Sequence, residues 1–281
     1  MKNLTMLNNT NLPDAHATIL ARIRAWVQSD LRFDALLGSG SLVHGGFDAY
    51  SDLDLVLVVA PRAYDEVMAE RQSIAQSMGG LLAAFTGEHV GEPRLLICLY
   101  GTPLIHVDLK FIRLSDLNQA GGRPGILWAR NEHEIALHMN STDRRKSGAD
   151  PQWFEDRAWI WLHYGAAKLL RGELFEAIGM LAFFRENILG PMWQRNRGLP
   201  QRGVRRIDSD SNARMALAPT VPNYEVDGVK AALMKSMLLY IELREADPPS
   251  APTALMPQAL ILFIEQASAP CAGAKPPKLR L

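Results

Sequence analysis

Residues 36–59 read LLGSGSLVHGGFDAYSDLDLVLVV, and this stretch decides the fold of the N-terminal half of the chain. It contains two consecutive Gly-Ser pairs, Gly38-Ser39 and Gly40-Ser41, followed by Asp52 and Asp54 at the start of a run of Leu and Val. A carboxylate is costly to bury in an apolar strand unless another group pairs with it. The stretch therefore predicts a partner for the two aspartates.

A divalent cation is the partner that this pattern favours. Side chains alternate along a strand, so a strand over 53–59 would place Asp52 and Asp54 on one face and the intervening leucines in the core. Two neighbouring carboxylates repel each other, and a cation between them removes that cost. Oxygen ligands without Cys or His favour Mg²⁺, which also takes water and phosphate oxygens. The alternative interpretation is a strand edge with solvated acids.

A third carboxylate is predicted in LIHVDLKFI at 104–112. Its apolar residues alternate with His106, Asp108 and Lys110, so Asp108 points away from the apolar face of its strand. If this strand neighbours the strand over 53–59, Asp108 can meet Asp52 and Asp54.

The composition excludes some classes of protein. Lys plus Arg equal Asp plus Glu, 30 against 30, whereas proteins that bind long nucleic acid normally present a basic surface. The two cysteines form no CxxC motif, the N-terminus does not resemble a secretory signal, and no window approaches the roughly 20 apolar residues of a membrane helix. We therefore expect a cytoplasmic protein with reduced thiols that makes no contact with a membrane.

Periodicity divides the chain into an α+β half and an all-α half. The first half has predicted helices over 14–28 and 62–78 and predicted strands over 33–38, 53–59, 95–100 and 104–112, the last two forming an antiparallel hairpin. A polar linker follows at 141–150. Helical spacing then predicts a bundle over 150–266, interrupted by a long irregular segment at 195–225. The tail, 267–281, is predicted to be mobile.

These residues resemble the nucleotidyltransferase superfamily that includes DNA polymerase β, and most of all its branch of aminoglycoside and lincosamide nucleotidyltransferases. The family pattern is a strand, a Gly-Ser pair, a spacer and an acid pair separated by one apolar residue. In the antibiotic-modifying branch the spacer before Ser-Asp-x-Asp is commonly nine residues. Nine residues, 42–50, separate Gly40-Ser41 from Ser51, so the motif is assigned to this pair and Gly38-Ser39 to the end of the strand.

The motif has a physical rationale in phosphate binding. Gly40 lets the backbone approach a phosphate closely, and Ser41 can donate its hydroxyl. The sequence SLVH can begin a short helix whose first amides face the anion, and Gly45-Gly46 would end it. The resemblance implies that Gly40, Ser41 and Ser51 bind the nucleotide.

The resemblance also implies a reaction. The family moves a nucleoside monophosphate from a nucleoside triphosphate to a hydroxyl and releases pyrophosphate, with two Mg²⁺ ions. Asp52 and Asp54 would hold both ions, and Asp108 would hold the ion nearer the acceptor and could take its proton. In some relatives a carboxylate of the helical domain is the base, and Glu173 is the candidate here.

The resemblance assigns roles to the two halves. Residues 14–145 would be a mixed-sheet catalytic domain, and the bundle over 150–266 would form the acceptor side of a cleft. Lys168 could reach a phosphate from the bundle, and the acids Glu155, Asp156 and Glu173 would suit a cationic acceptor. Arg202, Arg205 and Arg206 could bind the triphosphate or an anionic acceptor, and an exposed basic loop is an equal alternative.

The resulting prediction is an enzyme that transfers AMP from ATP to a small hydroxylated acceptor, such as an aminoglycoside- or lincosamide-like antibiotic, and so confers antibiotic resistance. Two alternatives stay open, which are a nucleotidyltransferase that acts on a protein or RNA and a non-catalytic nucleotide-binding protein. The expected partners are a nucleoside triphosphate and the acceptor, and a homo-oligomer is compatible with the sequence.

Overall fold

The computed structural model describes residues 12–119, 124–139 and 148–265. The chain divides into two compact units, Met1–Arg145 and Lys146–Leu281, and the division falls within the linker predicted at 141–150. The predicted tail over 267–281 lies outside the described residues. Within the described part, no helix combines the length and the apolar character that a bilayer span requires.

The first unit is built on a six-stranded mixed sheet. Its strands are β1 (Phe33–Gly38), β2 (Leu53–Val59), β3 (Leu81–Gly87), β4 (Glu92–Tyr100), β5 (Ile105–Arg113) and β6 (Gly125–Ala129). They lie in the order β3-β4-β5-β2-β1-β6. The β2–β5 pair is parallel, and the other four pairs are antiparallel, including the predicted β4–β5 hairpin. A mixed sheet with helices agrees with the predicted α+β class.

Helices cover both faces of this sheet. They are α1 (Asp14–Ser29), the four-residue α2 (Ser41–His44), α3 (Tyr64–Ser77) and α4 (Glu132–Met139). Buried residues of α1 and α3 pack with one face of the sheet, and Ile135 of α4 packs with the other.

Strand β2 explains why the acid pair is set in an unbroken apolar run. Its odd-numbered residues from Leu53 to Val59 belong to the core under α1 and α3, as predicted. Val56 and Val58 face the opposite way into the smaller core beside α4. Because both faces are covered, β2 is apolar throughout except at its beginning, where Asp54 shares the face of Val56.

The second unit contains helices and loops and no strand within its described residues. Its helices are α5 (Pro151–Leu170), α6 (Leu174–Phe184), α7 (Gly190–Arg195), α8 (Ser211–Leu217), α9 (Val226–Ala246) and α10 (Met256–Glu265), and a π-helical turn, Arg185–Leu189, joins α6 to α7. Asp150 caps α5 by accepting a hydrogen bond from the Trp153 amide, and Pro151 occupies the first turn. Apolar residues from all these helices form one core.

Four elements differ from the sequence-based prediction, and one of them is α4, since no helix was predicted over 132–139. Strands β3 and β6 were not predicted, since Leu81–Gly87 and Gly125–Ala129 contain Ala and Gly, which give little strand signal. The segment 195–225, predicted to be irregular, contains α8. Asp210 caps α8 by accepting from the amides of Asn212 and Ala213.

Candidate functional site

The first Gly-Ser pair ends β1, and the second begins the helix that follows. β1 ends at Gly38, and the Ser39 amide donates to the Asp54 carbonyl over 2.8 Å. Gly40 has φ of +58°, and α2 runs from Ser41 until Gly45, whose φ is +86°. The predicted turn from strand into short helix at Gly40-Ser41 is therefore confirmed.

Gly40 lies directly against the carboxylate of Asp54. A Cβ atom at this position would be 1.8 Å from Asp54 Oδ2, so a larger residue could not occupy it without moving Asp54. Positive φ is also unfavourable for any other residue type. The Asp54 carboxylate thus occupies the space that a side chain at position 40 would need.

The register of the sheet brings a second carboxylate beside Asp54. β2 and β5 are parallel neighbours, and Asp54 is the direct partner of Asp108. Register partners on adjacent strands point to the same face, so the two carboxylates share one side of the sheet. The predicted adjacency of the strand that carries Asp108 is confirmed.

Asp52 lies one residue before β2, whose bounds are those predicted. β2 begins at Leu53, so strand alternation does not determine the direction of the Asp52 side chain. Over the described residues, no group of three or more His, Cys, Asp and Glu side chains is arranged to hold a metal ion. The structure thus supports Asp54 and Asp108 as a pair, and the contribution of Asp52 stays a prediction.

Asp108 has a neighbour that sequence reasoning did not use. His106 Nε2 lies 2.9 Å from Asp108 Oδ1, and His106 is half exposed. The two residues are two positions apart on β5, which puts their side chains on one face. The alternation of His106 and Asp108 was visible in the sequence and could have indicated this contact.

The thiol of Cys98 lies on β4, next to the strand that carries Asp108. Burial raises the pKa of Cys98 to about 12, and the charge of Asp108 contributes. Cys98 is therefore a neutral thiol at physiological pH and not a nucleophile.

Two serines of the motif region have different environments. Ser41 Oγ is buried and has no hydrogen-bond partner among the described residues. Ser39 Oγ lies 3.5 Å from the Asp54 carbonyl, at the limit of a hydrogen bond. An unpaired buried hydroxyl costs free energy, and a phosphate oxygen beside Ser41 would remove that cost.

Ser51 is part of a closed turn. Its hydroxyl donates to Asp48 Oδ1 over 3.1 Å and accepts from the Asp48 amide over 3.0 Å. The Ser51 carbonyl lies 2.9 Å from Nε2 of His16 on α1. Ser51 therefore shapes the backbone before Asp52, and its direct contact with a nucleotide stays a prediction.

Lys168 and Glu173, both in the second unit, bind each other. Lys168 Nζ lies 2.6 Å from Glu173 Oε2 and 3.3 Å from Glu176 Oε2. The hydrogen bond that Lys168 donates to Glu173 raises the pKa of Lys168, so the amine stays charged. The predicted roles of Lys168 at a phosphate and of Glu173 as a base would both require this pair to rearrange.

Two further sequence-based expectations concern the helical unit. Arg202, Arg205 and Arg206 are exposed on the turn between α7 and α8, so their predicted anion-binding role stays open. Glu155, predicted as an acid that could face a cationic acceptor, is only 2% exposed. It accepts hydrogen bonds from Trp159, Tyr240 and the Thr253 amide and pairs with Arg244, so it is a core residue instead.

Comparisons with known proteins give distant similarity to solved structures. No family model matches the chain, and no curated protein matches it. Among solved structures, the chain is similar to an aminoglycoside 6-adenyltransferase from Bacillus subtilis, with 14% sequence identity over 90% of this chain and 97% of that chain. The TM-score is 0.39, and a similarity at this level does not establish a shared function.

Proposed function

We propose that this protein is a metal-dependent nucleotidyltransferase. The observation that carries the proposal is the contact between Gly40 and Asp54, with Asp108 in register on β5 and the Ser41 hydroxyl, which is unpaired among the described residues, next in the chain. A close-approach glycine, a hydroxyl donor and paired carboxylates suit the binding of a metal-complexed triphosphate.

The donor set fits Mg²⁺. Asp54 and Asp108 supply hard oxygen ligands on one face of the sheet, and Asp52 is proposed as a third ligand. A pair of carboxylates suffices for a first ion, because Mg²⁺ usually keeps several waters and takes phosphate oxygens. When two Mg²⁺ ions are bound, they neutralise charge on the triphosphate and on the attacking oxygen.

The residues of the chain would orient the reactants and handle the proton. Gly40 leaves room for the Asp54 carboxylate next to the backbone, and Ser41 donates its hydroxyl to a phosphate oxygen. Asp108 is proposed to accept the proton of the acceptor hydroxyl, and its hydrogen bond with His106 orients the carboxylate. Catalysis would then consist mainly of positioning and charge neutralisation.

The acceptor is proposed to be a small hydroxylated molecule, aminoglycoside- or lincosamide-like, and the donor to be ATP. The balance of 30 basic and 30 acidic residues supports a small acceptor over long nucleic acid, which requires a basic surface.

The test is pyrophosphate release with each nucleoside triphosphate and Mg²⁺ against a panel of aminoglycosides, lincosamides and other polyols. Mass spectrometry would identify the product. We expect AMP to be added to a small molecule, whereas labelling of a protein or RNA alone would favour the alternative acceptor. Binding of ATP without transfer to any acceptor would indicate a nucleotide-binding protein.

Variants connect this activity to the site. Asp54→Asn and Asp108→Asn should each abolish turnover without lowering stability, because they remove a metal ligand and relieve carboxylate repulsion. Asp65→Asn is the control, since Asp65 is a strongly exposed aspartate of the same unit on α3. Turnover that survives in Asp54→Asn would contradict the site assignment.

A further inference from the structure

The buried face of α1 contains one polar residue, His16. It continues the apolar stripe of Ile19, Leu20, Ile23 and Val27 by one turn toward the N-terminus, and it is 4% exposed. A leucine would fit this stripe without any polar group to satisfy. An imidazole at such a position needs a partner, and the identity of that partner indicates its role.

His16 binds the segment that leads into the acid pair. Its Nε2 lies 2.9 Å from the Ser51 carbonyl, and because a carbonyl can only accept, Nε2 carries the proton. The ring also contacts Phe47 edge-on, with centroids 5.1 Å apart and an interplanar angle of 88°. Through His16, helix α1 therefore contacts both ends of the segment 47–51, at Phe47 and at Ser51.

Phe47 packs against the core of the sheet unit, whereas the residues after it, 48–50, are exposed. Tyr50 is 99% exposed, and the turn from Asp48 to Ser51 is closed by hydrogen bonds between those two residues. Such bonds fix the shape of the turn but not its position on the unit. Phe47 attaches the beginning of the segment to the core, and the bond from His16 attaches its end, one residue before Asp52.

The surroundings of Nδ1, the second ring nitrogen of His16, show whether His16 serves core stability alone. Nδ1 is buried and has no hydrogen-bond partner in the described part of the chain. An unsatisfied buried nitrogen destabilises the fold, so His16 is not explained by core stability alone. Groups that lower stability in this way are typical of functional sites.

We propose that His16 is a positioning residue, which holds the turn from Asp48 to Ser51 against α1 and thereby orients the Asp52 backbone at the start of β2. The expected effect on turnover rests on the proposed function. The attachment of the turn to α1 does not, because it can be measured in the protein without ligand.

Two amide variants test the anchor, since they share their chemistry and differ by one methylene. Gln at position 16 places its amide nitrogen near the position of Nε2, whereas Asn is too short to reach the Ser51 carbonyl. Hydrogen exchange followed by mass spectrometry on the full-length protein without ligand is the first measurement. We expect exchange over 48–52 to accelerate about tenfold in His16→Asn relative to exchange in β1, and to stay near wild type in His16→Gln.

The second measurement is turnover with Mg²⁺, ATP and a confirmed acceptor. We expect kcat to fall about tenfold in His16→Asn with little change in the KM of the acceptor, and to be restored in His16→Gln. Both variants remove the imidazole from the core, so a loss of stability should affect both. A difference in kcat between them therefore reports the position of the turn and not the stability of the fold.

The outcomes separate this inference from the proposed function. Equal exchange over 48–52 in both variants and the wild type would overturn the anchor, whatever the activity. Faster exchange with unchanged kcat would overturn the positioning role. A wild-type protein that transfers no nucleotide would overturn the proposed function, and the exchange data would still decide on the anchor.

Discussion

Gly40 and Gly45 begin and end the same short helix, both with positive φ, but their surroundings differ. A Cβ at Gly40 would clash with the Asp54 carboxylate, whereas a Cβ at Gly45 would have no atom within 4 Å. Gly40→Ala should therefore displace Asp54 as well as strain the backbone. Gly45→Ala should cost only the strain, about 1 kcal/mol of unfolding free energy.

Calorimetric titration with a nonhydrolysable ATP analogue and Mg²⁺, together with melting curves, checks this prediction. We expect Gly40→Ala to lose binding and Gly45→Ala to retain it. Equal affinity in the two variants would mean that the approach of Gly40 to Asp54 has no role in nucleotide binding.

Ser41 should matter for the ligand and not for the fold. Its buried hydroxyl has no partner among the residues that the structure describes, so Ser41→Ala should leave the unfolding free energy unchanged or slightly raised. A hydrogen bond to a charged phosphate is worth roughly 1.5–3 kcal/mol, so the same change should weaken binding of the analogue by about tenfold or more. Ser39→Ala is the matched control, and a larger loss of affinity there would reassign the motif to Gly38-Ser39.

Single residues were predictable where a motif or a strand period defined them. The turn at Gly40 followed from the motif of the family that the sequence resembles. The strand that carries Asp108 followed from the alternation of apolar and polar residues. His16 and Glu155 did not, because the burial of a polar side chain depends on partners far away in sequence. Glu155 bonds to Tyr240 and Thr253, and local periodicity does not predict such contacts.

At the scale of elements, the best-predicted strands were those with a continuous apolar run. β1 and β2 begin and end at the predicted residues, because each is buried and bounded by polar or glycine residues. The parallel pairing of β2 with β5 was required for Asp108 to meet Asp54. The sequence favoured this adjacency only through the resemblance, since register is determined by the packed sheet.

Glu155 joins two helices and a loop of the second unit, so its removal should destabilise that unit. It lies on α5, contacts Tyr240 and Arg244 on α9, and accepts from the Thr253 amide. Glu155→Gln leaves Arg244 without its carboxylate and should cost roughly 3 kcal/mol, as measured by urea unfolding. Asp156, the exposed residue next to Glu155 in the chain, is the control, and Asp156→Asn should lower the unfolding free energy much less.

The same carboxylate predicts a dependence on pH. Burial alone would raise the pKa of Glu155, but the hydrogen bonds from Tyr240, the Thr253 amide and Trp159 outweigh it and lower the pKa below its ordinary 4.5. The stability from ionised Glu155 is therefore complete above pH 4.5 and is lost as the pH falls through the lowered pKa. The difference in unfolding free energy between wild type and Glu155→Gln should narrow over that range, and a constant difference would contradict this assignment.

At the scale of the whole molecule, each compact unit has its own core. The two buried clusters of the sheet draw on residues of the first unit, and the helical cluster draws on residues of the second. Separate cores allow separate cooperative unfolding. We expect calorimetric melting to show two transitions, and Glu155→Gln should lower only the one that belongs to the helical unit.

Binding of the ATP analogue should raise the temperature of the other melting transition, which belongs to the sheet unit. A ligand that binds only the native state at 100 times its Kd adds about 2.7 kcal/mol, which corresponds to a rise on the order of 10 °C for a unit of this size. Since Gly40, Ser41, Asp54 and Asp108 all lie in the sheet unit, the nonhydrolysable ATP analogue with Mg²⁺ should raise the melting temperature of that unit. Asp54→Asn should abolish the rise, while Asp65→Asn should keep it. A rise confined to the helical unit would place the nucleotide on residues such as Lys168 or Arg202 and contradict the site on the sheet.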